Sequence, residues 1–251
     1  MAAPIILVHG AFCGGWAFDA FKAPFEAAGH PCQSPDLPGH GPGEAAAGLS
    51  MSAYADFVAQ LIAGCAEPPI LIGHSLGGLA AAMAAGKAEI AGLILLAPSA
   101  PWGVTGSSME EAASAVGLLS LGAYWTEAVP PDFGLASGYS LDRLPRAAQQ
   151  AIYERMVPES GRALWETLNW WLDPFMTTQL SRSRIAAPTL AVAGGQDRIH
   201  PPATVRQTAA SLGAEVMVFD EMSHWLIGEP GYEAVAAACL KWISSSRRAA
   251  A

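Results

Sequence analysis

Pro68-Pro-Ile-Leu-Ile-Gly-His-Ser-Leu-Gly-Gly78 is the stretch that decides the fold. Its apolar run at Ile70-Leu-Ile72, bounded by prolines and a glycine, reads as a short strand; the small-residue run Leu76–Ala85 reads as a helix. Between them stands Gly73-x-Ser75-x-Gly77, a pattern that requires this strand-to-helix setting. Such a turn lifts the Ser75 hydroxyl clear of the sheet. It also brings the residues two before and two after it against neighbouring backbone, where a Cβ would clash. The helix that follows points its positive end at the same place. A chance match in a chain with 26 glycines would lack that flanking pattern, so Ser75 is the candidate nucleophile.

Outward from this point, strand-like runs alternate with helical ones. Strands are expected at Ile5–Val8, Cys32–Pro35, Pro69–Gly73 and Ile90–Ala97. Helices are expected at Trp16–Ala28, Ser52–Ala63 and Leu76–Ala85, the first two closed by Gly29 and Gly64. From about Pro101 to Arg184 the rhythm breaks into helical patterns with no convincing strand. There Ser108 and Glu111 form a capping box, and Leu144–Met156 and Gly161–Leu172 read as helices, the second stopped by Asp173-Pro174. Alternation resumes with strand Thr189–Ala193, helix Ala203–Leu212, strand Glu215–Phe219 and helix Gly231–Ser245. This predicts an α/β fold, a mostly parallel six-stranded sheet covered by helices on both faces, with right-handed crossovers. Residues 1–100 and 185–251 would form the core domain, and residues 101–184 a helical cap inserted after the fourth strand.

Composition narrows the partners. A chain of 251 residues suits one such domain with an insertion. A formal net charge of −9 makes nucleic acid and anionic membranes poor partners. No apolar run reaches the roughly 20 residues of a spanning helix. The start, Met1 through Val8, lacks a basic segment and reads as a strand rather than a signal peptide. The cysteines at 13, 32, 65 and 239 show neither a CxxC pair nor zinc spacing, which points to reduced thiols in a cytoplasmic protein. No histidine pair has HExxH spacing, and no phosphate-loop or dinucleotide pattern occurs, so neither a metal nor a cofactor is expected. The oligomeric state is not encoded in any pattern found.

A serine nucleophile needs donors, a base and an acid. One backbone N–H for a developing oxyanion should come from Leu76, directly after the serine. The other should come from the loop His9-Gly-Ala-Phe-Cys-Gly-Gly-Trp16 after the first strand, with Ala11 the expected donor. Cys13 lies in that loop with no such turn around it and reads as a structural thiol. Chain order for this architecture runs Ser, acid, His, which leaves His200 and His224 as bases. His200 is too near Asp197 in sequence to be held independently by it, so His224, in Asp220-Glu-Met-Ser-His-Trp225 after the last strand, is the expected base. Gly194-Gly-Gln-Asp-Arg-Ile-His-Pro201 supplies Asp197 as acid, with Asp220 its rival. The loop after the fourth strand, Leu96-Ala-Pro-Ser-Ala100, holds no carboxylate. Asp197 would fix the imidazole tautomer. His9 and His74 read as loop-orienting residues, and His30 and His40 as surface or turn residues. Among the cap aromatics most should pack the cap onto the sheet; Trp102, Trp125 and Trp171, with Phe12, His74 and Trp225, are the expected pocket residues.

Together the His-Gly loop, GHSLGG, GGQD…P and SHW…EP resemble the α/β-hydrolase superfamily over nearly the whole chain. The loop at His9–Trp16 is similar to that of the plant methylesterase and hydroxynitrile-lyase branch; the wider chain resembles bacterial esterases and cofactor-free haloperoxidases. The superfamily's first two strands have no counterpart before Pro4-Ile5. Relatives that cleave epoxides or carbon–halogen bonds use Asp where Ser75 stands, and hydroxynitrile lyases place Lys where Trp225 stands. The resemblance implies a serine hydrolase acting on esters through an acyl-enzyme, and the Trp- and Phe-rich cap points to small, uncharged, hydrophobic ones. C–C, lactone or thioester cleavage and perhydrolysis remain open to the same triad, and a ligand-sensing role is the distant third.

Overall fold

The computed structural model describes residues 2–120 and 122–250. Met1, Leu121 and Ala251, assigned above to core, cap and core, lie outside the described residues. In chain order the strands are β1 (Ile5–Val8), β2 (Cys32–Gln33), β3 (Ile70–His74), β4 (Gly92–Leu96), β5 (Ala128–Val129), β6 (Glu159–Ser160), β7 (Thr189–Gly194) and β8 (Glu215–Phe219). The helices are α1 (Ala23–Ala27), α2 (Met51–Ala63), α3 (Leu76–Ala85), α4 (Met109–Leu119), α5 (Phe133–Leu135), α6 (Arg146–Tyr153), α7 (Gly161–Leu168), α8 (Pro202–Leu212) and α9 (Tyr232–Ala250).

Six strands pair in the order β2-β1-β3-β4-β7-β8, all parallel. Both faces of the sheet are covered, which is why β1, β3, β4 and β7 read as unbroken apolar runs. Side chains alternate between two buried clusters. Ile6, Val8, Leu71, Leu93, Leu95, Ala191 and Ala193 pack on one face with α2, α3 and α8. Ile5, Leu7, Ile70, Ile72, Ile94, Leu96, Leu190 and Val192 pack on the other with Phe18, Phe21, Phe25 and α9. The chain runs from β1 outward to β2 and returns to β3 on the other side of β1. That reversal opens a crevice at the carboxyl ends of β1 and β3, the place where open parallel sheets bind ligands.

Two expectations need correction. Trp16–Ala28 is not one helix: a 3-10 turn at Gly15–Phe18 precedes the short α1, which has Pro24 in its first turn. The proline lacks an N–H and starts a helix rather than continuing one. The segment 101–184 is not purely helical either. Its short strands β5 and β6 form an antiparallel pair, Ala128 with Ser160 and Val129 with Glu159. Two-residue strands leave no alternation for a sequence to display. Ser108 does cap α4, its hydroxyl accepting from the Glu111 N–H at 2.9 Å. No helix among the described residues is long and apolar enough to cross a membrane.

Candidate active site

Ser75 sits between β3 and α3 with φ 53° and ψ −125°, a left-handed conformation that costs a non-glycine residue energy. The turn closes so tightly that a Cβ on Gly77 would lie 2.1 Å from the His9 carbonyl oxygen, and one on Gly73 2.5 Å from that of Gly77. Gly10, after β1, comes against the Ser75 side chain: a Cβ there would be 3.1 Å from the serine Cβ. Among the described residues, the backbone N–H groups of Ala11 and Leu76 take no hydrogen bond within the protein, and both residues line the cavity that Ser75 faces.

Asp197 follows β7 and His224 follows β8, and their side chains meet: Nδ1 of His224 lies 2.9 Å from Oδ2 of Asp197. The other carboxylate oxygen accepts from the N–H groups of Ile199 and His200, at 2.8 and 2.9 Å. Burial alone would push the Asp197 carboxyl up; the facing His224 ring and these donors outweigh it and hold it down at about 2. Asp220, the rival acid, is exposed. Ser75, His74, His200, His224 and Trp225 share one cavity of about 650 Å³.

Other histidines order the loops around it. Nε2 of His74 donates to the His224 carbonyl at 2.8 Å, and burial, then the neighbouring His224 ring, pushes its pKa down to about 3. His9 Nε2 accepts from the Leu37 N–H at 2.9 Å; burial and then His40 lower it to about 4. His200 lies 3.1 Å from the Ser99 hydroxyl, and burial and then His224 lower it to about 4. His30 and His40, expected at the surface or in turns, are both buried: His30 Nδ1 bonds the Ala3 carbonyl, and His40 faces Glu159. Burial pushes the Cys13 thiol up to about 12, so it is not a thiolate nucleophile.

The expected pocket residues divide. Ala11, Phe12, His74, Leu76 and Trp225 line the cavity; Trp102, Trp125 and Trp171 do not. These tryptophans pack on other aromatic rings instead, Trp102 and Trp171 on Trp170, and Trp125 on Tyr124 and Trp165. The lining comes largely from smaller apolar residues such as Leu118, Val129, Met156, Leu164 and Ile199, with Tyr139 among them. Glu111 also lines it, and burial, then Asp197, push its carboxyl up to about 7. Only the capping-box signal singled Glu111 out, and that signal said nothing of a cavity. Among the described residues no group of three or more His, Cys, Asp or Glu side chains is placed to hold a metal ion.

A parallel sheet with a serine on a strained turn after β3, and an Asp–His pair delivered by β7 and β8, defines a class of hydrolases. Residues 5–238 match the model of the alpha/beta hydrolase family, and the chain belongs to that family. It is similar to a pyrethroid hydrolase of Sphingobium wenxiniae, 40% identical over 96 residues, 37% of this chain and 34% of that one. It is also similar to methylesterase 3 of Arabidopsis thaliana, 36% identical over 92 residues, 32% of each chain. The matched stretches thus span about a third of the length of these curated relatives. Among solved structures, a monoacylglycerol lipase of Paleococcus ferrophilus superposes with a TM-score of 0.71 at 25% identity, over 98% of this chain and 97% of that one.

Proposed function

We propose that this protein is a serine esterase that cleaves small, uncharged, hydrophobic carboxylic esters, with Ser75, His224 and Asp197 as its triad and residues 101–184 as a cap over the cavity. The observation that carries the reading is the buried Asp197–His224 bond at 2.9 Å in the cavity that also holds Ser75 on its strained turn. Relatives bearing the names of a hydrolase, a methylesterase and a lipase support it.

In this mechanism the Ser75 oxygen attacks the ester carbonyl carbon while its proton passes to Nε2 of His224. The carbonyl electron pair moves onto oxygen, and the unpaired N–H groups of Ala11 and Leu76 receive it. Collapse expels the alkoxide, which takes the proton from His224 and leaves an acyl-enzyme. Water, its proton taken by His224, then attacks the acyl carbon, and the Ser75 oxygen leaves, takes that proton back from His224 and frees the acid. Asp197, ionised above about pH 2, keeps the Nδ1 proton in place and stabilises the imidazolium. The cavity volume of about 650 Å³ is within the usual range for small-molecule sites, and its apolar lining suits an uncharged acyl or alkyl group.

The test is hydrolysis of p-nitrophenyl acetate and butyrate by wild type and Ser75→Ala, together with fluorophosphonate labelling of the serine. The variant is expected to lose up to roughly a millionfold in turnover and to escape labelling. Full activity in Ser75→Ala would remove Ser75 as nucleophile. A panel of lactones, thioesters and C–C substrates separates esterase from its chemical neighbours.

A further inference from the structure

Glu159 is fully buried in the cap strand β6, and every hydrogen bond to its carboxylate crosses to a different part of the molecule or fixes its own strand. Oε1 accepts from the Tyr54 hydroxyl of α2 at 2.6 Å and from the Ser160 N–H at 2.7 Å. Oε2 accepts from Nε2 of His40, in the loop after β2, at 3.1 Å, and from the backbone N–H of Phe12 at 3.3 Å. His40 places its Nδ1 3.1 Å from the Pro38 carbonyl. With a carbonyl on one ring nitrogen and a carboxylate on the other, both nitrogens are donors, and the ring is an imidazolium. Burial lowers its pKa, but the Glu159 bond and charge outweigh that and raise it; burial raises Glu159, and the His40 bond and charge, then Tyr54, outweigh that and lower it. Both shifts favour the charged form of the pair, which has no exposure on either side chain.

Phe12 is where this pair acts. Its φ is 63°, a left-handed conformation unfavourable for a residue with a Cβ. Such a conformation persists only where the surroundings over-determine it. Here the cap holds both polar groups of Phe12: Glu159 takes its N–H, and the Val157 N–H donates to its carbonyl at 2.9 Å. With the Phe12 N–H engaged by Glu159, the N–H of the preceding residue, Ala11, is left unpaired at the cavity wall.

We propose that Glu159 is a positioning residue that, from the cap, clamps Phe12 in its left-handed turn and so sets the Ala11 N–H that receives the oxyanion, which makes that half of the oxyanion site depend on the docked cap. This rests on the esterase reading above. Undocking β6 would release both bonds to Phe12, and the turn would relax toward a conformation that an L-residue prefers. Substrate contacts with the cap and stabilisation of the oxyanion are then coupled through one carboxylate.

Glu159→Gln tests the clamp with almost no change of volume. Each carboxylate oxygen faces a backbone N–H, Ser160 on one side and Phe12 on the other, so either orientation of the amide sets an NH2 against a donor. Two readouts are compared with wild type: the steady-state constants for p-nitrophenyl butyrate, and inhibition by an alkyl trifluoromethyl ketone. The ketone takes the serine oxygen onto its carbonyl carbon, the serine proton goes to His224, and the carbonyl electron pair becomes an oxyanion with no leaving group. The expected result is a fall in kcat of about a hundredfold, as for a donor displaced by about 1 Å, with KM changed far less and ketone affinity weakened in parallel with kcat/KM. Tyr54→Phe, which keeps the carboxylate but removes one of its donors, should shift both readouts in the same direction by a smaller factor, and supplies the test if Glu159→Gln does not fold. Ketone affinity within twofold of wild type in the folded variant, with Ser75 still labelled by fluorophosphonate, would overturn the clamp and leave the esterase reading standing. Absence of labelling in wild type would overturn both.

Discussion

At the scale of single residues, the site depends on where protons are held. Asp197 keeps its charge although it is 3% exposed, because the His224 ring and two backbone donors face it. Asp197→Asn preserves the shape but offers an amide N–H or an uncharged oxygen to Nδ1, which favours the wrong tautomer of His224. We expect kcat to fall about 10⁴-fold, read by ester hydrolysis, with fluorophosphonate labelling slowed in proportion. A variant within tenfold of wild type would show that another group orients the imidazole.

At the scale of elements, close approach between β1 and the start of α3 brings the loop after β1 to Ser75. Gly77 is the contact that allows it: a Cβ there would meet the carbonyl oxygens of His9 and Val8 at 2.1 and 2.4 Å. Both are backbone atoms at the end of a buried strand and have little room to yield. Gly77→Ala is expected to cost about 3 kcal/mol or more of stability, read as a lower urea midpoint, and to lose activity as the helix is pushed from the strand. An unchanged midpoint would mean that the elements can separate freely there.

At the scale of the whole molecule, Glu111 of α4 lines the same cavity as Ser75 and His224 of the sheet's loops. It is raised to about 7 by burial and by Asp197, and its Oε2 has no hydrogen-bond partner among the described residues. A carboxyl raised in the folded state favours folding while protonated. Its contribution is complete below the unfolded value near 4.5 and is lost as pH rises through about 7. Glu111→Gln removes this ionisation. Its melting temperature relative to wild type should therefore rise between pH 5 and pH 8, measured by thermal scans across that range. Parallel curves for the two proteins would show that Glu111 ionises no differently folded than unfolded.

Much of this architecture is local in origin. Apolar runs the length of a strand, glycines flanking Ser75 and the return of the β/α rhythm after residue 184 are properties of neighbouring residues, so the six-stranded sheet and the elbow of Ser75 were legible in sequence. The pairing of His224 with Asp197 rather than Asp220 followed from which loops the strands deliver to one edge. Other features were not legible. Trp102, Trp125 and Trp171 found ring partners away from the cavity, Trp125 and Trp171 staying exposed, because ring packing depends on which distant partner folding brings close, and sequence does not say which. Strands β5 and β6, two residues each, carry no periodicity. His40 and Glu159 stand 119 positions apart, and only the packing of β6 against α2 and the loop after β2 removes both from water and pairs them. Sequence determined the scaffold and named the candidate reacting groups, since those rest on spacing along the chain. Tertiary structure alone decided the lining of the cavity and the two bonds from residues 157 and 159 to Phe12, since those depend on which distant surfaces exclude water between them.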